Sequence, residues 1–275
     1  MDEINGKKID LQLIGNNVLA GGFHLLDSID STSNWALKQI SEGRALPFAC
    51  VAEHQSQGRG RRGRHWVSPA GANIYMSLAW HFELQAEELG MFSLAQGVAV
   101  IRALEKIGIN NAWLKWPNDV LIEDKKIAGV LVETSGITAA GCNVVAGVGL
   151  NYRMPETILH EADRYWTDVA HSLDYALPGR SELTAILLNE LVQMCRHYQM
   201  REHTVIRDIE QRLGSLRGRT VDLHLEDGRQ FEGTVLGINS RGELRVEVNG
   251  NEMVFNSADV SLRKQESRIR KGDAC

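Results

Sequence analysis

Gln55-Ser56-Gln57-Gly58-Arg59-Gly60-Arg61-Arg62-Gly63-Arg64-His65-Trp66 is a run in which four arginines alternate with three glycines and end on a tryptophan. Glycine lets a backbone approach a ligand closely and reach positive φ, and each guanidinium offers a rigid fork of donors matched to carboxylate or phosphate oxygens. The implied ligand is an anion. Two plainer accounts stand beside that one: a solvated surface loop, of equal weight, and behind both a nucleic-acid-binding arm that orders on contact. The run lies between strand-like residues 48–53 and 73–80, which makes it a loop within a domain and not a tail.

Working outward, a chain of 275 residues has room for one large domain with a full core and one small domain. Its formal charge of -5 and pI near 6.0 exclude a globally basic polyanion binder, so the arginine cluster is a local positive field on an acidic protein. Cys50, Cys142, Cys195 and Cys275 form no C-x-x-C pair, which argues against a zinc site or a disulfide framework and fits a reducing cytoplasm. The start Met1-Asp2-Glu3 shows no signal-peptide pattern, and no apolar run approaches a membrane span. A soluble cytoplasmic protein is expected.

In chain order, residues 1–23 read as a lead-in segment. Asp30-Ser31-Thr32-Ser33-Asn34 is a cluster of capping residues before Trp35, Ala36, Leu37 and Ile40 at helical spacing. A helix start also presents unpaired N–H groups and short hydroxyls that can hold a polar ligand group. Residues 73–80 read as a buried strand and 87–107 as an amphipathic core helix stopped by Gly108. Trp113 to Ile122 reads as a strand with a break at Pro117, followed by a polar turn at Glu123-Asp124-Lys125 and a hairpin partner at 126–133. Lys115 and Lys126 sit in apolar strand sequence, where a buried ammonium requires an anion; an ordinary strand lysine points to solvent. Residues 144–150 form a further strand, 153–178 a connection with short helices, and 182–198 and 203–213 two amphipathic helices. From Gly218 the texture changes to short strands at 221–225, 230–238, 244–248 and 253–255, separated by Gly-containing turns, as in a small antiparallel barrel. The expected division is 1–23, a domain at 24–215, a barrel at 216–264 and a charged tail at 265–275.

Together these blocks resemble the biotin protein ligase family: Asp30-Ser31-Thr32, Gln55 with Gly58 to Arg64, Lys115-Trp116-Pro117-Asn118-Asp119, Lys126-Ile127-Ala128-Gly129, and Gly147-Val148-Gly149-Leu150-Asn151. The resemblance runs from about Leu25 to Arg263. It implies an α+β, class II synthetase-like biotin/lipoate ligase domain followed by an SH3-like β-barrel. It also implies that biotin is condensed with ATP, supplied with Mg2+, to an adenylate and passed to a lysine of a biotin carboxyl carrier domain. By motif, Ser31, Thr32, Ser33 and Gln55 would hold biotin, the first two and Gln55 at its ureido ring. Arg59, Gly60 and Arg61 would wrap the activated carboxyl, with Lys126 bridging carboxylate and α-phosphate; Lys126, Arg59 and Arg61 are the catalytic candidates. Arg61, Arg64, Trp66, Lys115, Asn118 and Asp119 would line the ATP site. No resident metal site is implied.

The chemistry suits those residues. Joining a carboxylate to an α-phosphate brings two anions together, so aimed positive charge matters more than a nucleophilic side chain. Members that repress transcription carry an N-terminal winged helix-turn-helix, for which this sequence leaves no room; no DNA binding is expected, and a homodimer is left open. Lipoate ligation is the neighbouring alternative, but lipoate has no ureido group to satisfy, so Ser31, Thr32 and Gln55 favour biotin. A non-enzymatic nucleic-acid binder using the arginine loop is the alternative of a different class.

Overall fold

A computed structural model describes Ile4 and residues 19–158, 166–214, 216–225, 228–256 and 260–264. Seven strands form the larger sheet: β1 (Phe23–Ile29), β2 (Phe48–Gln55), β3 (Asn73–Phe82), β4 (Trp113–Lys115), β5 (Asp119–Ile122), β6 (Lys125–Thr138) and β7 (Gly141–Asn151). Their order is β1-β2-β3-β7-β6-β5-β4. β1 runs parallel to β2, and the remaining pairings are antiparallel. Helices α1 (Thr32–Ser41), α2 (Phe92–Lys106), α3 (Arg180–Gln199) and α4 (His203–Arg212) complete an α+β arrangement.

Strand alternation divides the two faces. Ala49, Val51, Ile74, Met76 and Leu78 join the main core under α2 and α3, while Phe48, Ala79 and Val145 form a smaller cluster with Ala36 of α1. By the same register Ser77, Gly147 and Gly149 share the α1 side. The site is built there, at the ends of β2, β6 and β7.

The expected helix at 87–107 begins later. A 3-10 turn at Ala86–Leu89, closed by reciprocal Gln85 and Glu88 capping bonds, precedes Phe92. Between them Gly90 packs closely against a distant turn: a Cβ there would lie 2.4 Å from Arg241 O. Gly108, at φ +84, ends α2 as expected. The hairpin from β6 to β7 extends well beyond 126–133, and β5 turns into β6 through left-handed Glu123 and Asp124. In the connection expected to hold short helices, one 3-10 turn occurs at Glu156–Ile158; residues 159–165, most of the lead-in segment and the tail lie outside the described residues.

The second sheet comprises β8 (Thr220–Leu225), β9 (Gln230–Ile238), β10 (Leu244–Val248), β11 (Asn251–Phe255) and β12 (Val260–Lys264), antiparallel in the order β11-β10-β9-β8-β12. It is the expected SH3-like domain. Asn249 and Gly250, both at positive φ, make the anticipated tight turn. β12 was not anticipated, because five residues of mixed character carry little signal; pairing with the edge of β8 fixes it.

Two contacts tie this sheet to the strands that carry the lysines. The buried Trp116 indole donates from Nε1 to Gly242 O at 2.9 Å. Arg219 pairs with Asp124 at 2.7 Å and lies over the Trp113 ring. Trp116→Phe keeps most of the apolar volume and strands the Gly242 carbonyl, so it should cost about 1–3 kcal/mol. A lowered urea midpoint with unchanged m-value is the expected result.

Candidate functional site

Gly129 of β6 faces Gly149 of β7 across the ladder. With no side chain on either, the strands present bare backbone, and the Trp66 ring lies against it. A Cβ at Gly149 would stand 2.4 Å from Trp66 Cε2, and one at Gly129 would stand 3.1 Å from Trp66 Cζ3. The Lys126 ammonium sits 5.0 Å from the centroid of the same ring, within cation–π range. Trp66 is placed by its own loop: its N–H donates to Gly58 O at 2.8 Å, and Gly58 has no room for a Cβ, which would fall 2.3 Å from Trp66 O.

A second group of residues forms a chain of short polar side chains under the start of α1. Gln55 Oε1 accepts from Thr32 N at 2.8 Å and from Thr32 Oγ1 at 3.1 Å, while Gln55 Nε2 donates to Ser68 Oγ at 3.0 Å. Ser77 Oγ donates to Thr32 Oγ1 at 2.9 Å, and the Ser33 and Ser77 hydroxyls lie 3.2 Å apart. Ser31 occupies the N-cap position in extended conformation, yet its side chain makes no capping bond. All of these residues are buried. Burying so many polar atoms is tolerable only because they bond to one another, and the spacing of their motifs along the chain gives no hint of that pairing.

The charged groups lie above. Lys126 Nζ meets Asp119 Oδ1 at 2.6 Å, so the strand lysine points to an anion and not, as an ordinary strand lysine would, to solvent. Lys115 stands opposite Asp119 in the β4–β5 ladder and is half-buried. Burial pushes the Arg61 guanidinium below its ordinary value; Arg62 adds repulsion, Asp119 opposes it, and Arg64 adds further repulsion. An arginine remains charged under such pressure. Arg59 is paired with Glu133 at 2.9 Å. Gly60 is extended, and its N–H donates to Arg64 O at 2.8 Å, closing the loop on itself; the Arg64 side chain is exposed. Asn118 is engaged twice with Val130, through Nδ2 to its carbonyl at 2.8 Å and by accepting its N–H at 2.9 Å, so it fixes β6 beside the ion pair.

Thus Thr32, Ser33 and Gln55 converge in one network, Lys126, Asp119 and Trp66 meet over the glycine floor, and Arg61 faces Asp119 electrostatically. Ser68, Ser77, Asn34 and Glu133 belong to the site and were not anticipated. Ser68 lies two residues past the loop tryptophan and Ser77 in mid-strand, where each passes for an ordinary small polar residue; Glu133 closed the strand expected at 126–133, whereas β6 runs on to Thr138. Among the described residues no group of three or more His, Cys, Asp or Glu could hold a metal ion, and no helix is long and apolar enough to cross a membrane.

Residues 25–151 match the biotin/lipoate A/B protein ligase family, and residues 218–263 match the biotin protein ligase C terminal domain. The chain is 34% identical over 267 residues to the bifunctional ligase/repressor BirA of Escherichia coli, covering 96% of this chain and 79% of that protein. It is 32% identical over 258 residues to the biotin--[acetyl-CoA-carboxylase] ligase of Mycobacterium tuberculosis, covering 90% and 92%. Its fold is similar to that of the biotin protein ligase from Aquifex aeolicus in complex with biotin and ATP, with TM-score 0.72 and 26% identity over 88% of this chain and 99% of that one. The biotin protein ligase from Leishmania major in complex with biotinyl-5-AMP is also similar, with TM-score 0.61 and 25% identity over 86% and 99%.

The packing of Trp66 on the floor can be tested without any ligand. Gly149→Ala forces a methyl group into the indole and should cost about 1–3 kcal/mol. In a Trp66→Ala background the same change should cost little, so a double-mutant cycle by urea denaturation should show strong coupling. Additive costs would separate the ring from the floor.

Proposed function

The chain belongs to the biotin/lipoate A/B protein ligase family, and we propose that it is a biotin--[biotin carboxyl carrier protein] ligase that converts biotin and ATP to biotinyl-5'-adenylate and pyrophosphate and then biotinylates a carrier lysine. The observation that supports this most directly is the placing of Lys126, Arg61 and Trp66 beside the buried Thr32–Gln55–Ser68 network, since the reaction needs a cationic meeting point next to a pocket with fixed hydrogen-bonding polarity. The Mycobacterium tuberculosis relative and both structural neighbours are named as biotin ligases, which favours biotin over lipoate.

In this reading the polar network receives the ureido ring, with Ser31, Thr32, Ser33 and Gln55 presenting donors and acceptors. The biotin tail runs past Trp66, whose indole covers the Gly129 and Gly149 backbone. The biotin carboxylate and the ATP α-phosphate repel one another as they approach. Lys126 and Arg61 lower that repulsion, most strongly as charge builds on the pentacoordinate phosphorus, and the carboxylate oxygen bonds to phosphorus as pyrophosphate leaves. Mg2+ enters with ATP, held by its phosphates. Trp66 offers an aromatic face to the nucleotide, and Lys115 and Asn118 support the same wall. Pairing with Asp119 keeps Lys126 aimed before ligands arrive; when an anion takes Lys126, Asp119 is left next to the acceptor's path.

That vacancy gives Asp119 its second part. A free lysine amine has a pKa of roughly 10.4 and is mostly protonated near neutrality. The acceptor nitrogen must lose a proton before or as it attacks the mixed anhydride, whose acyl–oxygen bond breaks to release AMP. Asp119 accepts or orients that proton.

Pyrophosphate release measured with ATP plus biotin and with ATP plus lipoate tests the function: release is expected with biotin, and release with lipoate alone would overturn the reading. Lys126→Gln should lower the biotin-dependent rate about 100-fold or more while the protein stays folded; near-normal release would remove its role. With preformed adenylate and saturating carrier, Asp119→Ala should slow transfer, and wild-type transfer would rule out the base.

A further inference from the structure

Lys126 owes its direction to an irregularity in its strand. In the β5–β6 ladder Val120 faces Ala128 and Leu121 faces Lys126, so Ile127 is an extra residue, a β-bulge. Strict alternation would put Lys126 on the face of Ala128 and Val130, both of which lie in the main core. Instead Ile127 joins that core beside Ala128, and Lys126 emerges on the face of Gly129, where an added Cβ would stand 3.1 Å from Lys126 Nζ. On the other side β7 pairs with β6 only as far as Leu150 with Ala128. A later segment takes its place at the bulge. Trp166 bridges to Lys126 in parallel, Thr167 N donates to Lys126 O at 2.9 Å, and Asn151 Nδ2 donates to Lys126 O at 3.3 Å and to Thr167 O at 3.0 Å.

That segment is held in turn by Asp168, whose side chain is fully buried. Its Oδ2 accepts from Met154 N at 2.9 Å, its Oδ1 accepts from His171 N at 2.8 Å, and His171 Nδ1 lies 2.7 Å from the same oxygen. Val169 N and Ala170 N donate to the carbonyls of Asn151 and Tyr152 at 3.1 and 3.0 Å. Bonds to a buried carboxylate are charge-assisted and costly to leave unmade, so they set the register of residues 166–170 against 151–154 firmly.

We propose that Asp168 is a positioning residue for adenylation: it fixes Thr167, Thr167 holds the Lys126 carbonyl, and the bulge held in this way turns the Lys126 ammonium toward the reacting anions. The kinetic part rests on the ligase reading, whereas the line of contacts from Asp168 to Lys126 stands without it.

The test uses Asp168→Ala and Asp168→Asn, each alone and combined with Lys126→Gln. Asp168→Ala should lower kcat for biotin-dependent pyrophosphate release about tenfold and leave KM for biotin within about twofold, since the bonds lost are to Met154 and His171 and not to the Thr32–Gln55 network. Asp168→Asn keeps the shape and one acceptor oxygen and should recover most of that loss. If the alanine variant does not fold, Asp168→Asn carries the comparison, with an expected fall of about threefold. Alongside Lys126→Gln neither change should slow release further. Amide hydrogen exchange gives a reading without substrates. The Thr167 N–H, bonded to Lys126 O and not to Asp168, should exchange about tenfold faster in the variant while the β3–β7 amides keep wild-type protection. Wild-type kcat in a folded Asp168→Ala protein, or in Asp168→Asn where the alanine variant does not fold, would overturn the proposal. So would an equal fall with and without Lys126→Gln, or unchanged Thr167 protection. Wild-type protein lacking biotin-dependent pyrophosphate release would sink the ligase reading and leave Thr167 exchange to decide whether Asp168 holds Lys126.

Discussion

Where β6 and β7 pass one another, Gly129 faces Gly149, and the sheet loses its side chains on the side toward α1. Every other part of the site is arranged around that bare patch. Trp66 can lie flat on it because there is no Cβ to meet the ring. Lys126, three residues before Gly129, reaches over the indole toward Asp119. Gly147, one alternation along β7, leaves the space in which the Ser33 hydroxyl sits: a Cβ there would lie 2.5 Å from Ser33 Oγ. Sheets usually avoid interior glycine because it gives up packing and costs backbone entropy. Here that sacrifice creates a trough inside an otherwise well-packed β-structure.

Arg61 is partly desolvated and sits among like charges, and Asp119 relieves only part of the strain. The carboxylates are divided between tasks: Glu133 is spent on holding Arg59, whereas Asp119 is shared between Lys126 and Arg61. A net acidic chain therefore maintains a small cationic focus without attracting polyanions over its whole surface.

Much of the fold was legible because its signals are local. The capping cluster before Trp35 marked the start of α1, Gly108 marked the end of α2, and Asn249-Gly250 marked a hairpin in the small sheet. Signals from distant chain were invisible. Gly90 lies against Arg241 O, and β12 pairs with the edge of β8, contacts that no local pattern signals. The site divides in the same way. Gln55, the arginines and the two glycine-rich strand blocks stood out by composition, but Lys126 by itself read as a solvent-facing lysine until Asp119 was seen 2.6 Å away. Ser68 and Ser77 could not be distinguished from ordinary serines, since their significance lies in the hydrogen bonds that they make to Gln55 and Thr32.

Those bonds also bear on discrimination. Gln55, Thr32, Ser68 and Ser77 satisfy one another, so their buried polar atoms find partners within the chain. A ring with its own donors and acceptors can trade bonds with this network at little net cost. A ring of similar size without them would disturb the network and return nothing, which is the asymmetry that lets a polar pocket reject a near-isostere far better than a greasy one can. If the network receives the ring as proposed, the trade would appear in calorimetry as an exchange of enthalpies with little change in heat capacity from the ring itself.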